Sequence, residues 1–152
     1  MYTVSPSLKK DVVHIAKHMR KADIVECEAL NKSPLQAINT AMIVKNSQTL
    51  TLYKDKEPVL IGGLVPDGIK TATIWALATD KAFNNPTTVA KMGIKWINYV
   101  VTPYEKVHNL VWSKNKKAIN LLILLGFTVS TKVIHVNHLE FFYFVRRNLD
   151  KN

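Results

Sequence analysis

The sequence predicts one α/β domain, and three observations carry that prediction. Hydrophobic spacing along the 152 residues switches between a period near 3.6, the mark of helices, and strict alternation, the mark of strands. Three strand-like segments between Thr49 and Thr79, the first strictly alternating, are separated by K-D-K-E-P and P-D-G, the turn chemistry of an antiparallel meander. Further on, V-W-S-K-N-K-K-A-I-N-L-L-I-L-L-G-F (Val111 to Phe127) reads as a strand, a helix start and a helix stop.

Taken in order, Tyr2 to Val4 predicts a first strand closed by Pro6. Ser7 reads as the N-cap of a helix carrying Leu8, Val12, Ile15, Ala16 and Met19 on one face, and Asp23 to Leu30 as a second short helix. Ser33-Pro34 is a cap followed by proline at the first helical position, opening a helix over Leu35 to Lys45. The meander follows as Thr49–Tyr53, Val59–Val65 and Thr71–Thr79. Gly62-Gly63 inside its second strand marks a bulge or a close approach of another backbone. Asp80 to Pro86 is loop, and Thr87 caps a helix to about Val101 that buries Val89, Met92, Gly93, Trp96, Ile97 and Val100. His108 to Trp112 is a strand, Asn115 caps a helix to Leu125, and Gly126 ends it in the left-handed conformation. Phe127–Val136 and Leu139–Arg146 close the chain as a hairpin around His135-Val136-Asn137-His138. No repeat, low-complexity tract or long linker divides 1–152, and residues 1–20 either pack on the domain or reach to a partner.

The bulk numbers narrow the function classes. No apolar run is long enough to span a bilayer, and M-Y-T-V-S-P-S-L-K-K lacks the pattern of a signal peptide. The single cysteine, Cys27, excludes an internal disulfide; Glu26 and Glu28 beside it raise the thiol pKa and make it inert. A formal charge of +10 and pI near 9.7 favour acidic partners, nonspecific nucleic-acid contact included. Only Arg20, Arg146 and Arg147 are arginines, so base-specific reading is disfavoured.

The Val111–Phe127 segment resembles the second signature of the GCN5-related N-acetyltransferase (GNAT) superfamily, roughly V-x-x-x-N-x-x-A-x-x-L-Y-x-K-L-G-F, with Asn115, Ala118, Leu121 and Gly126-Phe127 in register. The element order matches as well. The resemblance implies a mixed, mostly antiparallel twisted sheet of about seven strands flanked by about four helices. It also implies acetyl-CoA as the ligand of any active form, held through Lys81, Thr87, Thr88 and Asn115. Two departures stand out. The segment D-K-A-F-N-N-P-T-T-V (Asp80 to Val89) has none of the glycines that let a pyrophosphate lie against backbone N–H groups, and the tyrosine many of these enzymes use as general acid falls on Leu122. The stretches R-K-A-D-I-V-E-C-E-A-L, T-L-T-L-Y-K-D-K-E-P-V-L-I-G-G-L and I-W-A-L-A-T resemble the small GNAT-like proteins of short-tailed bacteriophages, one of which is an internal virion protein.

GNAT enzymes place the acetyl group near the splayed fourth and fifth strands, so the candidates for catalysis are Asp80, Glu105 and His108, with Tyr104 as a proton donor; each fits a loop or strand role equally well. His14 and His18, spaced i, i+4, lack a third ligand nearby, so no metal is expected; His135 and His138 flank a turn and read as solvated. Lys114, Lys116, Lys117 and Lys132 form a basic cluster that either meets phosphate or a partner surface or serves solubility. Trp75, Trp96, Trp112 and Phe141 to Phe144 have core spacing. The favoured expectation is a phage protein of the GNAT fold that has lost acetyl transfer, needs no cofactor, and contacts virion proteins or itself, in the virion or the host cytoplasm. The alternative is an acetyl-CoA-dependent N-acetyltransferase acting on a host or phage protein.

Overall fold

The computed structural model describes residues 1–148. Its seven strands form one sheet in the order β1-β2-β3-β4-β5-β7-β6, which is the mixed, mostly antiparallel arrangement expected. The strands are β1 (Tyr2–Pro6), β2 (Gln48–Lys54), β3 (Glu57–Pro66), β4 (Thr71–Ala78), β5 (Lys106–Trp112), β6 (Thr128–Val136) and β7 (Leu139–Arg147). The helices are α1 (Lys9–Lys17), α2 (Lys21–Ala29), α3 (Pro34–Met42), α4 (Pro86–Val100) and α5 (Lys116–Leu124), five rather than about four, with a 3-10 turn over Asp80–Phe83. None of these helices is long and apolar enough to cross a bilayer. By compactness the chain falls into two units, Met1–Val65 with Ile74–Asn84, and Pro66–Thr73 with the residues from Asn85 onward.

In the first unit, α1 and α2 pack against α3, and Val12, Ile15, Met19, Cys27, Ile38, Ile61 and Leu77 form a buried core. The cap of α1 departs from expectation. Leu8 holds the N-cap position, and its N–H is accepted by the Asp11 carboxylate at 2.8 Å, while the Ser7 hydroxyl pairs with that of Thr51. Asp11 is buried and binds the Tyr53 hydroxyl as well, which a surface serine could not do. Ser33 caps α3 as predicted, with Gln36 closing the reciprocal bond. β2 and β3 turn through Asp55 and Lys56, both at positive φ, the geometry that matches the right-handed twist of a hairpin. The irregularity in that hairpin lies at Leu52/Tyr53, not at the glycine pair. Gly63 instead serves close approach, since a Cβ there would lie 2.0 Å from the Gln48 carbonyl oxygen.

Cys27 is buried. Desolvation first, then the charges of Asp23, Glu26 and Glu28, push its thiol from an ordinary 9.0 up to about 11. The folded chain therefore keeps this proton to higher pH than the unfolded one does, and stability falls as pH rises from about 9 to about 11. The expected loss is on the order of 3 kcal/mol. Urea titrations across that window check it, because Cys27→Ala should lose this part of the slope.

In the second unit, Thr71–Thr73 run parallel to Lys106–His108, β5 pairs antiparallel with β7 from Lys106↔Arg147 to Trp112↔Phe141, and β6 pairs with β7. The β6–β7 turn uses Asn137 and His138 at positive φ. Val107, Val111, Phe127, Phe141 and Phe144 are buried, with Phe127 edge-on to Phe144 at 5.3 Å. Gly93 of α4 leaves room for Leu125, whose Cδ2 would lie 2.9 Å from a Cβ there. Asn85, not Thr87, caps α4: its side chain accepts from the Thr88 N–H at 3.3 Å, and proline follows it. Asn115 holds the N-cap position of α5, but its side chain makes no capping bond; it is 1% exposed, a core position. Gly126, at φ 89°, ends α5 as expected, with the Phe127 N–H returning to the Leu122 carbonyl.

Candidate active site

The best-organised polar cluster lies in the second unit and starts from the P-D-G turn. The turn is closed by the backbone, the Asp67 N–H donating to the Thr71 carbonyl at 3.1 Å. The Asp67 side chain is thereby available for other work. One carboxylate oxygen, Oδ1, accepts from the Thr71 hydroxyl at 2.5 Å, and Oδ2 accepts from the Thr73 hydroxyl at 2.6 Å. Thr71 and Thr73 project from one face of β4 because side chains alternate along a strand. Gly68 permits this arrangement, since a Cβ there would stand 2.5 Å from the Thr71 hydroxyl.

Thr73 is in register with His108 on the parallel neighbour β5. His108 Nε2 lies 2.8 Å from Asp67 Oδ2, so one carboxylate joins the turn, β4 and β5. Tyr143 of β7, a diagonal neighbour of His108 in the β5–β7 register, sets its ring 5.6 Å from the imidazole at a 56° tilt. Partial burial pushes the Asp67 carboxyl up, but the hydroxyls of Thr71 and Thr73 and the His108 ring together outweigh it and hold the group below its ordinary range. The pair remains reachable, with side chains 25% exposed for His108 and 28% for Asp67.

The other candidates are placed differently. Glu105 pairs with Lys70 at 3.4 Å on the surface, with 63% of its side chain exposed. Tyr104 is half-buried in the loop after α4, its N–H bound to the Val101 carbonyl. Asp80, in the first unit, opens the 3-10 turn and is exposed. His108 alone among the four is held by a carboxylate on a neighbouring element. Asp67, its partner, was read only as turn chemistry, although D-G-x-x-T-x-T carries the signal of a carboxylate facing two hydroxyls across a tight turn.

The residues expected to meet acetyl-CoA are also separated by role. Lys81 is bound by Glu57 at 3.0 Å, beside a cleft of about 250 Å³ lined with Lys54, Asp55, Val59 and Asn84. At the start of α4, Pro86 has no N–H and Asn85 takes that of Thr88, so Thr87 is the donor that neither the ring nor the cap removes. The first turn carries no acidic residue, and the positive end of a 15-residue helix faces the Thr87 and Thr88 region. This start fits a single anionic group, not a glycine-lined pyrophosphate cradle. Lys114, Lys116, Lys117 and Lys132 are exposed. In the first unit, the His14 and His18 rings lie 4.6 Å apart at a 41° tilt.

A mixed seven-stranded sheet with parallel β4 and β5, α4 between them in sequence and a closing β6–β7 hairpin defines the GNAT fold. Solved structures agree. An acetyltransferase of the GNAT family from Streptococcus pneumoniae superposes with a TM-score of 0.61 at 11% identity, over 97% of this chain and 99% of that one. Spermidine N-acetyltransferase from Vibrio cholerae, in complex with CoA and spermine, gives 0.70 at 12% identity, over 97% and 96%. The N-acetyltransferase PseH from Campylobacter jejuni, in complex with acetyl coenzyme A, gives 0.63 at 14% identity, over 97% and 99%. At these identities the likeness is one of fold. No family model and no curated protein sequence matches the chain.

Proposed function

We propose that this chain is an N-acetyltransferase that moves an acetyl group from acetyl-CoA to a primary amine, with His108 as proton acceptor. The observation that carries this reading is the partly exposed His108 imidazole anchored to the Asp67 carboxylate at 2.8 Å, within a fold shared with acetyltransferases. An amine is protonated at neutral pH and cannot attack until it loses a proton. Of the two protons the ammonium must shed, His108 takes the first. The nitrogen lone pair then forms the C–N bond as the C–S bond breaks; nitrogen releases its second proton to solvent, and the departing thiolate takes one from solvent, because Leu122 stands where a tyrosine would supply it.

The start of α4 supports a contact to one phosphate group, so affinity for acetyl-CoA is expected to be modest. A charge of +10 disfavours polycations such as the spermine bound by the Vibrio enzyme and favours an amine on an acidic host or phage protein. Calorimetric titration with acetyl-CoA tests the reading. One-to-one binding in the range of tens to hundreds of micromolar is the expected result; no heat at millimolar ligand would sink it.

A second reading has its own support. Asn85 and Pro86 leave a single free donor in the first turn of α4 and Leu122 replaces the acid, as in a GNAT fold kept for assembly within the particle of a short-tailed phage and relieved of transfer chemistry. Mass spectrometry of purified particles of the encoding phage decides it. A stoichiometric presence together with silent calorimetry favours this reading, and absence from the particle removes it.

A further inference from the structure

We infer that Asp67 is a positioning residue that holds His108 in the Nε2–H tautomer and makes Nδ1 the atom that accepts the proton. This deepens the proposed function and rests on its assignment of His108 as the base. The bonds around the carboxylate determine the direction of each hydrogen. Asp67 is ionised at neutral pH and can only accept, as the two threonine hydroxyls donating to it require. A bare Nε2 lone pair 2.8 Å from Oδ2 would face another lone pair; with hydrogen on Nε2, the same distance is a charge-assisted hydrogen bond. In the neutral ring only one nitrogen carries hydrogen, so Nδ1 is left with the lone pair.

The carboxylate is itself restrained. Thr71 and Thr73 occupy both of its oxygens from β4, and the backbone bond from the Asp67 N–H closes the turn without help from the side chain. An aspartate serving the turn alone would need neither Thr73 nor His108. The Tyr143 ring lies 5.6 Å from the imidazole at a 56° tilt. The arrangement resembles in logic any base oriented by a third group: the carboxylate selects the tautomer and stabilises the imidazolium that forms when the proton arrives.

The test uses long-range ¹⁵N–¹H correlation spectra of the uniformly labelled full chain above the imidazole titration range, with the His108 signals assigned by their loss in His108→Gln. A single Nε2–H tautomer in the wild type, converted to a mixture or to Nδ1–H in Asp67→Asn, is the expected result. A wild-type ring in the Nδ1–H form, or a tautomer ratio unmoved by Asp67→Asn, overturns the inference, whatever the enzyme activity. The kinetic counterpart is a kcat reduced by up to roughly 10⁴-fold in Asp67→Asn with KM little changed, following the template of an orienting carboxylate. If the tautomer behaves as expected but wild-type protein transfers no acetyl group, the positioning stands and the assignment of the reaction fails. If transfer proceeds with Nδ1 protonated, the positioning fails and the reaction stands.

Discussion

His108→Ala lowers the rate of acetyl transfer at pH 7 by about 10²- to 10⁴-fold, the range a positioned general base contributes. The rate is read as CoA thiol released from acetyl-CoA in the presence of a panel of peptides bearing N-terminal or lysine amines. The loss is expected in kcat and kcat/KM alike, because the missing step is proton removal and not binding. Circular dichroism of the variant separates this from misfolding. His108 is one-quarter exposed and its ring lies 5.6 Å from that of Tyr143, so the fold should survive. Glu105→Gln is the matched comparison. Its side chain is 63% exposed and pairs with Lys70 on the surface, so rate and stability should both stay close to wild type. Equal rates for His108→Ala and wild type would remove His108 from the chemistry.

The second large effect is on stability. Asp23→Ala is expected to destabilise the chain by about 3–5 kcal/mol, the cost of breaking a buried ion pair from one side. Arg20 and Asp23 are both buried, and an Arg20 terminal nitrogen lies 2.7 Å from Asp23 Oδ1. The other carboxylate oxygen accepts from the Ala78 N–H at 2.8 Å, and the Arg20 guanidinium sits 4.5 Å over the Phe83 ring. Removing the carboxylate strands a guanidinium and a backbone donor together. The double change Arg20→Met with Asp23→Leu removes both charges and should recover most of the loss, leaving the Ala78 donor as the residue of the cost. Urea unfolding of the three proteins checks this, and a single-variant loss under about 1 kcal/mol would show that water reaches the pair.

Several elements were legible from local chemistry. Ser33-Pro34 opens α3, Gly126 closes α5, and the meander breaks at K-D-K-E-P and P-D-G, because caps and tight turns are decided by residues within a few positions of one another. The caps that failed share a cause. Ser7 and Thr87 have the right chemistry, but Thr51 draws the first hydroxyl away across the sheet, and Asn85 followed by Pro86 starts α4 earlier than Thr87 would. Asn115 looks like a cap in sequence and holds the N-cap position, but its side chain makes no capping bond and is buried.

The candidate site was half-legible. His108 could be singled out because the GNAT resemblance puts the chemistry near the fourth and fifth strands, whereas Asp67 could not, since forty-one positions separate the two in the chain. By itself the sequence determined the element order, the basic charge, the acidic neighbours of Cys27 and the lack of glycines before α4. Those depend on composition and near neighbours. Only the tertiary structure decided that a turn aspartate, two strand threonines and a histidine meet, because parallel pairing of Thr71–Thr73 with Lys106–His108 brings distant residues to one face of the sheet. A parallel pair is joined by a long crossover, so its register is written in no local stretch of chain.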